Sequence, residues 1–356
     1  MPENFRPTGR AVGYALNVFP YRTLAELWAC LEGDVLKLKG IAFPDEPFPI
    51  ELRLSESLLS ELRDVAPLKA FLDAHGLALV TINAFVMPAF HGERVKERVY
   101  LPGWHESDAR VRFTNVCLGL LAKCGKGENL PVSVPFGALK PVPMEAVAPN
   151  ILRCAKHAAS LDRRCVVALE PEPGLCVETT AEAVEFFDRF VPDDLRPHLG
   201  VNFDLSHQLV QFEDLGESVA FLQRHGVPIA KIHISNAAEL TEWKPFHTDS
   251  IYLHQVCGID ATGQKTYFSL DWPDTTPSPA IKKFRVHYHL PVFPSGDGST
   301  LAEVERFLAA TLPTIHPSVP AIIETYTTRE RLVETAAREL DWVREKISLS
   351  ARGTRV

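Results

Sequence analysis

The sequence predicts an α/β fold in which eight parallel strands close into a (β/α)8 barrel. Two observations carry this prediction. Short apolar runs rich in β-branched residues alternate with amphipathic stretches along the whole chain, which is typical of βα units around a parallel sheet. The candidate strands also number eight, and closing eight parallel strands into a barrel removes the edges that an open sheet would expose.

Each candidate strand is followed by a stretch with apolar residues at i, i+3, i+4 and i+7, which indicates a helix packed on the outside of the barrel. The predicted strands are residues 11–18, 50–54, 78–85, 132–136, 166–170, 200–204, 230–234 and 321–324. The predicted helices are residues 23–31, 57–75, 106–123, 145–160, 180–190, 215–225 and 301–312, with a closing helix at 328–347.

The length of 356 residues exceeds that of an ordinary barrel of about 250 residues. The surplus falls in residues 86–103, after the third strand, and 237–284, after the seventh, which we expect to be lids or walls of a site at the barrel mouth. A doubly wound open sheet is disfavoured because residues 17–20 contain no Gly-rich turn. We predict one domain over residues 1–356, with the barrel at about 11–347 and a short flexible tail at 348–356.

The charge and the cysteines limit the classes of partner and compartment. The chain has 37 Lys and Arg against 45 Asp and Glu, a net charge of −8, without a basic block, and this disfavours nucleic acid as a partner. Seven cysteines without a CxxC pair favour a reducing compartment. We find neither a signal-peptide pattern nor an apolar run of about 18 residues. These features predict a cytoplasmic protein with a small-molecule partner and no membrane insertion, and leave a homodimer open.

Four predicted strands lead into an ionisable residue at their carboxyl ends. In a parallel barrel these ends meet at one mouth, where active sites of such folds lie. Three carboxylates in one pocket repel each other unless a cation lies between them, and oxygen ligands with one imidazole suit Mn²⁺, Mg²⁺, Co²⁺ or Zn²⁺. The sequence therefore predicts a divalent-metal site. Its residues, called here the carboxylate cluster, are Glu170, Asp204, His233 and Glu324.

Three further histidines are candidates at the same mouth. His207 follows Asp204 by three residues, in the turn that leaves the sixth strand. His287 and His289 are two residues apart in an extended segment, 285–290, which places both rings on one face. This set, called here the histidine cluster, could bind a second metal or a substrate anion.

Three other polar residues lie in loops at this end of the predicted barrel. Asn83 ends the third strand and His91 lies in the long segment after it, so both are candidate substrate contacts. Glu172 lies in the stiff turn that follows Glu170, and we expect its side chain to face solvent.

The order of Glu at the fifth strand, Asp-x-x-His at the sixth, His at the seventh and Glu at the eighth resembles the xylose-isomerase-like barrel superfamily. This superfamily holds sugar isomerases and epimerases together with abasic-site endonucleases, and the resemblance spans residues 11–347. For the epimerase branch it implies that the carboxylate cluster holds the metal. It further implies that Glu170 and Glu324 transfer the proton and that His207 contacts the substrate, which makes these three the candidate catalytic residues.

Two narrower resemblances concern the histidine cluster and the loops. The endonuclease branch holds a further zinc with the Asp-x-x-His histidine and an Asp-x-His pair, which matches His207 and His287-x-His289 with His in place of Asp. Asn83 and residues 132–135 do not match the histidines of its remaining zinc site. Residues 90–96, 99–104 and 286–292 resemble the EboE-type proteins of bacterial Ebo operons, which are implicated in moving or processing secondary-metabolite precursors.

Three hypotheses about function follow. The first is metal-dependent isomerisation or epimerisation of a small hydroxy-carbonyl metabolite, for which a sugar or sugar phosphate is the superfamily's precedent. The second is hydrolysis of a phosphoester at a two-metal centre, as the resemblance to abasic-site endonucleases implies. The third is a non-catalytic role in metabolite binding or traffic that uses the same pocket.

Overall fold

The protein is a closed barrel of eight parallel strands surrounded by helices, as predicted. The structure is a computed structural model that describes residues 9–87, 94–243, 251–273, 275–294, 298–326 and 331–353. The first seven barrel strands are β1 (Val12–Ala15), β2 (Phe48–Arg53), β3 (Leu77–Asn83), β4 (Leu130–Pro135), β5 (Cys165–Glu170), β6 (Leu199–Asp204) and β7 (Ile229–Ile234).

After β7 the chain leaves the barrel and forms a four-stranded antiparallel sheet, called here the outer sheet. Its strands are β8 (Asn236–Leu240), β9 (Val256–Asp260), β10 (Lys265–Ser269) and β11 (Ile281–Leu290), in the order β10-β9-β11-β8. The chain then returns as β12 (Ala321–Ile323), which pairs with β7 and β1 and closes the barrel.

The outer sheet occupies the segment 237–284, which was predicted as a lid or wall of the site, and continues to Leu290. Its strands escaped prediction because β10, for example, is a mostly exposed Lys-Thr-Tyr-Phe-Ser run without a buried apolar face. The consequence for the site is rigidity. β11 is hydrogen-bonded to β8 on one side and β9 on the other, so His287 and His289 lie on a paired central strand.

The helices are α1 (Leu24–Cys30), α2 (Leu36–Ala42), α3 (Glu56–Glu61), α4 (Ala66–His75), α5 (Ala109–Cys124), α6 (Met144–Ala159), α7 (Thr180–Phe190), α8 (Leu205–Val210), α9 (Leu215–Arg224), α10 (Leu301–Arg306) and α11 (Leu332–Gly353). Short 3-10 turns span Leu16–Val18, Lys96–Tyr100, Arg196–His198 and Leu312–Thr314, and π-helical turns span Leu31–Val35 and Phe307–Thr311.

Several helix boundaries differ from the predicted ones for local reasons. The predicted helix at 57–75 is two helices, because Pro67 in the first turn of α4 has no N–H for a preceding turn and Asp64 instead accepts from the Ala66 N–H at 2.9 Å. The helical chain that starts at α1 continues to Ala42 through a π-helical turn, beyond the predicted end at residue 31. α11 extends to Gly353, into the predicted tail.

The segment after β3 is anchored to the barrel mouth by buried side chains. Trp104, fully buried, donates its indole N–H to the Pro135 carbonyl at the end of β4, at 3.0 Å. Arg110 at the start of α5 donates to the Phe85 carbonyl at 2.8 Å. These bonds hold the described part of the predicted lid against the mouth, while residues 88–93, including the candidate His91, lie outside the described residues.

None of the helices among the described residues combines the length and apolar composition needed to traverse a lipid bilayer. All seven cysteines lie in the described part of the chain and all are free thiols.

A buried carboxyl group, that of Glu339, joins α11 to the barrel. It accepts hydrogen bonds from the Tyr14 hydroxyl at 2.6 Å, the Thr325 hydroxyl at 2.9 Å and the Val292 N–H at 3.1 Å. Burial outweighs these donors and raises the pKa of Glu339 to about 7. Thr325 directly follows the cluster residue Glu324, so this carboxyl group also supports the end of the last barrel strand.

We expect the stability contribution of Glu339 to fall as pH rises. Its pKa is raised in the folded chain, so the folded state binds more protons than the unfolded state between about pH 4.5 and 7, and stability is lost as pH rises through this window. The shift corresponds to about 3 kcal/mol. The measurement is a denaturant titration of the wild type and Glu339→Gln at pH 5 and at pH 8. Between these pH values the wild type should lose about this much unfolding free energy relative to the variant. Equal pH slopes for the two proteins would contradict the expectation.

Candidate metal centre

The carboxylate cluster assembles at the barrel mouth. Glu170 ends β5, Asp204 ends β6, His233 lies one residue before the end of β7, and Glu324 directly follows β12. The His233 Nδ1 atom lies 2.8 Å from Glu324 Oε2, 3.2 Å from Glu170 Oε1 and 3.5 Å from Asp204 Oδ2. One ligand atom from each residue lies within 4.8 Å of all the others, and all four residues are buried.

The donor set and its unpartnered atoms fit a divalent cation. Glu170 Oε2 and Asp204 Oδ2 are buried without a hydrogen-bond partner, and a buried carboxylate oxygen left in this state is costly. Three carboxylates and one imidazole are ligands that Mn²⁺, Mg²⁺, Co²⁺ and Zn²⁺ accept. The four residues predicted from strand ends thus lie together as one group that could hold a divalent cation.

The charge states favour cation binding. Burial alone would raise the pKa of Glu324, but the His233 and His289 imidazoles lower it to about 2. Burial likewise opposes ionisation of Asp204, and His207 and His233 outweigh it, so the pKa of Asp204 lies well below its usual value. Burial would lower the pKa of His233, but the Glu324 and Glu51 carboxylates hold it well above the usual value. A proton on His233 therefore competes with a metal for the same carboxylates.

Hydrogen bonds orient two of the carboxylates. Asp204 caps α8, where its Oδ1 accepts from the Ser206 N–H at 2.7 Å and the His207 N–H at 3.2 Å, and Oδ2 is left facing the cluster. Asn17 and Asn83 both donate to Glu324 Oε1, Asn83 at 3.3 Å, which leaves Glu324 Oε2 facing His233. Asn83, predicted as a substrate contact, therefore supports a cluster carboxylate.

The histidine cluster forms beside the carboxylate cluster. The Nε2 atom of His287 lies 3.1 Å from that of His207 and 2.8 Å from that of His289. The two clusters adjoin, because His207 Nδ1 lies 3.8 Å from Glu170 Oε1 and His289 Nδ1 lies 3.8 Å from Glu324 Oε2. His287 and His289, two residues apart on β11, both have their rings against that of His207, with centroids at 4.6 and 5.7 Å.

The hydrogen-bond partners of the other ring nitrogens assign the tautomers. His207 Nδ1 lies 2.9 Å from the Pro171 carbonyl and His289 Nδ1 lies 2.9 Å from the Glu324 carbonyl, and carbonyls only accept. His287 Nδ1 lies 2.6 Å from Gln255 Oε1. With all three protons on Nδ1, three Nε2 lone pairs point at one another, an arrangement that a cation stabilises.

Gln255 and Glu172 support this cluster. Sequence patterns did not indicate Gln255, and they placed the Glu172 side chain in solvent. The Gln255 amide nitrogen donates to Glu172 Oε1 and the Tyr100 hydroxyl, each at 2.8 Å, so its oxygen must face His287. The prediction that Glu172 faces solvent is wrong, because residue 255, brought over it by the outer sheet, buries it to 5% exposure. Burial raises the pKa of Glu172.

Two further polar residues inside the barrel, Glu51 and Lys231, were also missed. Glu51 lies in the predicted strand 50–54 together with Arg53, and it is not at the end of that strand, where the candidate site residues were sought. Lys231 and His233 are two residues apart, a spacing that places both side chains on the same face of a strand. This spacing could have indicated that Lys231 lies inside the barrel with His233.

Comparison with known proteins agrees with this geometry. The family described as "Xylose isomerase-like TIM barrel" matches residues 36–282, more than half of the chain. The chain belongs to this family. Among curated protein sequences none gives a significant match to this xylose isomerase-like barrel.

Solved structures with the same fold cover nearly the whole chain. A xylose isomerase-like TIM barrel protein from Mycobacterium smegmatis in complex with magnesium has a TM-score of 0.59 at 14% identity, covering 96% of this chain and 98% of that one. A D-allulose 3-epimerase from Methylomonas in complex with D-allulose has a TM-score of 0.55 at 14% identity, covering 96% and 98%. The IOLI protein with a bound zinc atom has a TM-score of 0.54 at 15% identity, covering 96% and 99%. At these identities the likeness shows the fold.

Proposed function

We propose that this protein is a divalent-metal-dependent isomerase or epimerase of a small hydroxy-carbonyl metabolite. The observation that carries the proposal is the buried carboxylate cluster, in which two glutamates flank an imidazole and two carboxylate oxygens have no hydrogen-bond partner. Family membership and neighbours named as D-allulose 3-epimerase and as D-tagatose 3-epimerase-like protein support the reaction class. The loop motifs that resemble EboE-type proteins support a secondary-metabolite precursor as the substrate. We place the proposed reaction in the cytoplasm.

The roles of the residues follow from their atoms. A divalent metal held by Glu170, Asp204, His233 and Glu324 would supply Lewis acidity for the negative charge that develops when a carbon acid is deprotonated. Glu170 Oε2, buried and without a partner, is the atom best placed to accept the substrate proton. In an epimerisation, Glu324 would first take up a proton from solvent and deliver it to the same carbon, and Glu170 would release the abstracted proton to solvent after the product leaves. His207, 3.8 Å from Glu170, would orient a substrate oxygen.

The test combines metal analysis with carbon–hydrogen exchange. Protein purified without added metal should contain, or on reconstitution bind, Mn²⁺, Mg²⁺, Co²⁺ or Zn²⁺ at the carboxylate cluster. In D₂O, a panel of ketoses and their phosphates should then include one whose proton next to the carbonyl exchanges only with the metal-loaded protein, as NMR would show. A chain that binds no metal after reconstitution refutes the proposal. Thermal stabilisation by a compound that undergoes no exchange would instead favour the binding or traffic role.

The histidine cluster favours one second candidate, hydrolysis of a phosphoester at a two-metal centre. Two adjoining cation sites can hold a hydroxide between them and stabilise both oxygens of an in-line displacement. Activity toward bis(p-nitrophenyl) phosphate that needs about two metals per chain would support this candidate, whereas carbon–hydrogen exchange with the carboxylate cluster alone loaded would reject it.

A further inference from the structure

A buried ion pair lies inside the barrel, next to the carboxylate cluster. Glu51 on β2 and Lys231 on β7 are both fully buried and pair through Glu51 Oε2 and Lys231 Nζ. Lys231 also donates to the Ser133 hydroxyl at 2.8 Å. The other oxygen, Glu51 Oε1, lies 3.1 Å from His233 Nε2. A chain of polar contacts thus runs from β4 through Lys231 and Glu51 to a residue of the carboxylate cluster.

This pair is costly for the fold alone. Desolvating two charges commonly costs more than their attraction returns, and apolar side chains of similar size often replace such a pair without loss of stability. Both side chains are shielded from solvent, so the pair contributes nothing to the surface of the protein. Its remaining contact, with His233, therefore indicates what the pair does.

We propose that Glu51 is a positioning residue that presents Nδ1 of His233 to the metal, with Lys231 balancing its charge. A carboxylate that accepts from one ring nitrogen keeps the proton there, fixes the ring orientation and increases the basicity of the other nitrogen. Here Nε2 lies 3.1 Å from Glu51 Oε1 and Nδ1 faces the three carboxylates at 2.8 to 3.5 Å, so a metal bound among those carboxylates would leave the ring proton on Nε2. The inference rests on the proposed metal-dependent function.

The inference assigns opposite tautomers to neighbouring histidines. His233 would bind its metal through Nδ1 with the proton on Nε2, whereas His207, His287 and His289 carry their protons on Nδ1. The difference follows from the acceptor left to each ring once a metal occupies the carboxylates at His233 Nδ1: the Glu51 carboxylate for His233, and carbonyl or amide oxygens for the others.

The first test removes the ion pair with apolar side chains. The double variant Glu51→Leu/Lys231→Met should fold, because it replaces the buried charges together. We expect its Mn²⁺ affinity, measured by calorimetry on the metal-free protein, to be about 10- to 100-fold weaker than that of the wild type. Glu51→Gln/Lys231→Met returns a neutral acceptor to His233 and should recover part of the loss. Thr81→Val is the matched control: it removes a buried barrel hydroxyl that donates to the Pro131 carbonyl, and Mn²⁺ affinity should not change.

Two results of this test would overturn the inference while the proposed function stands: wild-type affinity in Glu51→Leu/Lys231→Met, or no recovery in the glutamine variant. A wild-type chain that binds no metal overturns the proposed function and this inference together.

The second test reads the His233 tautomer in the wild type and uses one variant only to assign the signal. ¹⁵N NMR of the zinc-loaded wild type with labelled histidine should show one ring bound through Nδ1 with a proton on Nε2, and Glu324→Gln should shift this signal most strongly among the histidines. A His233 ring protonated on Nδ1 in the loaded protein would overturn the inference.

Discussion

Glu170→Gln and Glu324→Gln are each expected to reduce isomerisation by about a thousandfold or more while the fold survives. Each substitution keeps the shape of the side chain but removes both a metal-ligating charge and a group that can carry the substrate proton. The largest loss is expected for Glu170, because its Oε2 has no hydrogen-bond partner in the protein, whereas Glu324 Oε2 already lies 2.8 Å from His233 Nδ1. Exchange of the substrate carbon-bound proton with D₂O measures the step directly.

The matched control separates metal binding from proton transfer. Asp204→Asn keeps an oxygen that can cap α8 but loses the charge on the atom that faces the cluster. Excess metal should therefore restore much of the exchange in Asp204→Asn and none in Glu170→Gln. If a glutamine variant keeps its turnover at saturating metal, the corresponding glutamate does not carry the proton.

The carboxylate cluster could be predicted from the sequence because, in this fold, a residue at the carboxyl end of its own strand lies at the mouth that all strands share. Parallel barrel strands all end at one mouth, so residues far apart in the chain, such as Glu170 and Glu324, meet whenever each ends a strand. No knowledge of the pairing is needed. The same rule explains why the strands and their order were predictable while their bounds shifted by a few residues, as at β1.

The supporting contacts could not be predicted because they depend on pairings with no local signal. Gln255 reaches Glu172 and His287 only because β9 and β11 of the outer sheet pair across the mouth. Glu51 and Lys231 are 180 residues apart and meet inside the barrel. The positions of the strand ends do not predict such a contact. A buried strand that carries Glu51 and Arg53 is a hint, but the partner of Glu51 is defined only by the closed barrel.

His287→Gln/His289→Gln is expected to remove one metal ion per chain and leave the carboxylate cluster loaded. Two of the three Nε2 ligands are lost, while His207 alone cannot hold a cation. Metal content by elemental analysis should fall from about two per chain to about one, with zinc as the added metal. His254→Gln is the control, because His254 lies in the same part of the chain and stacks on Tyr288 outside the histidine cluster, and zinc content should not change.

The alternative occupant of the histidine cluster, a substrate anion, requires protonated rings. Burial, and then repulsion from any positive charge on His207 or His289, holds the pKa of His287 well below its usual value, so the His287 ring, whose Nε2 faces both of the others, is neutral at physiological pH. A neutral ring whose Nδ1 proton is already donated to Gln255 offers an anion only a lone pair. Zinc should therefore raise the melting temperature at pH 8 and inorganic phosphate should not, with the zinc effect reduced in the double variant. Stabilisation by phosphate in the wild type, lost in His287→Gln/His289→Gln, would assign the cluster to an anion instead.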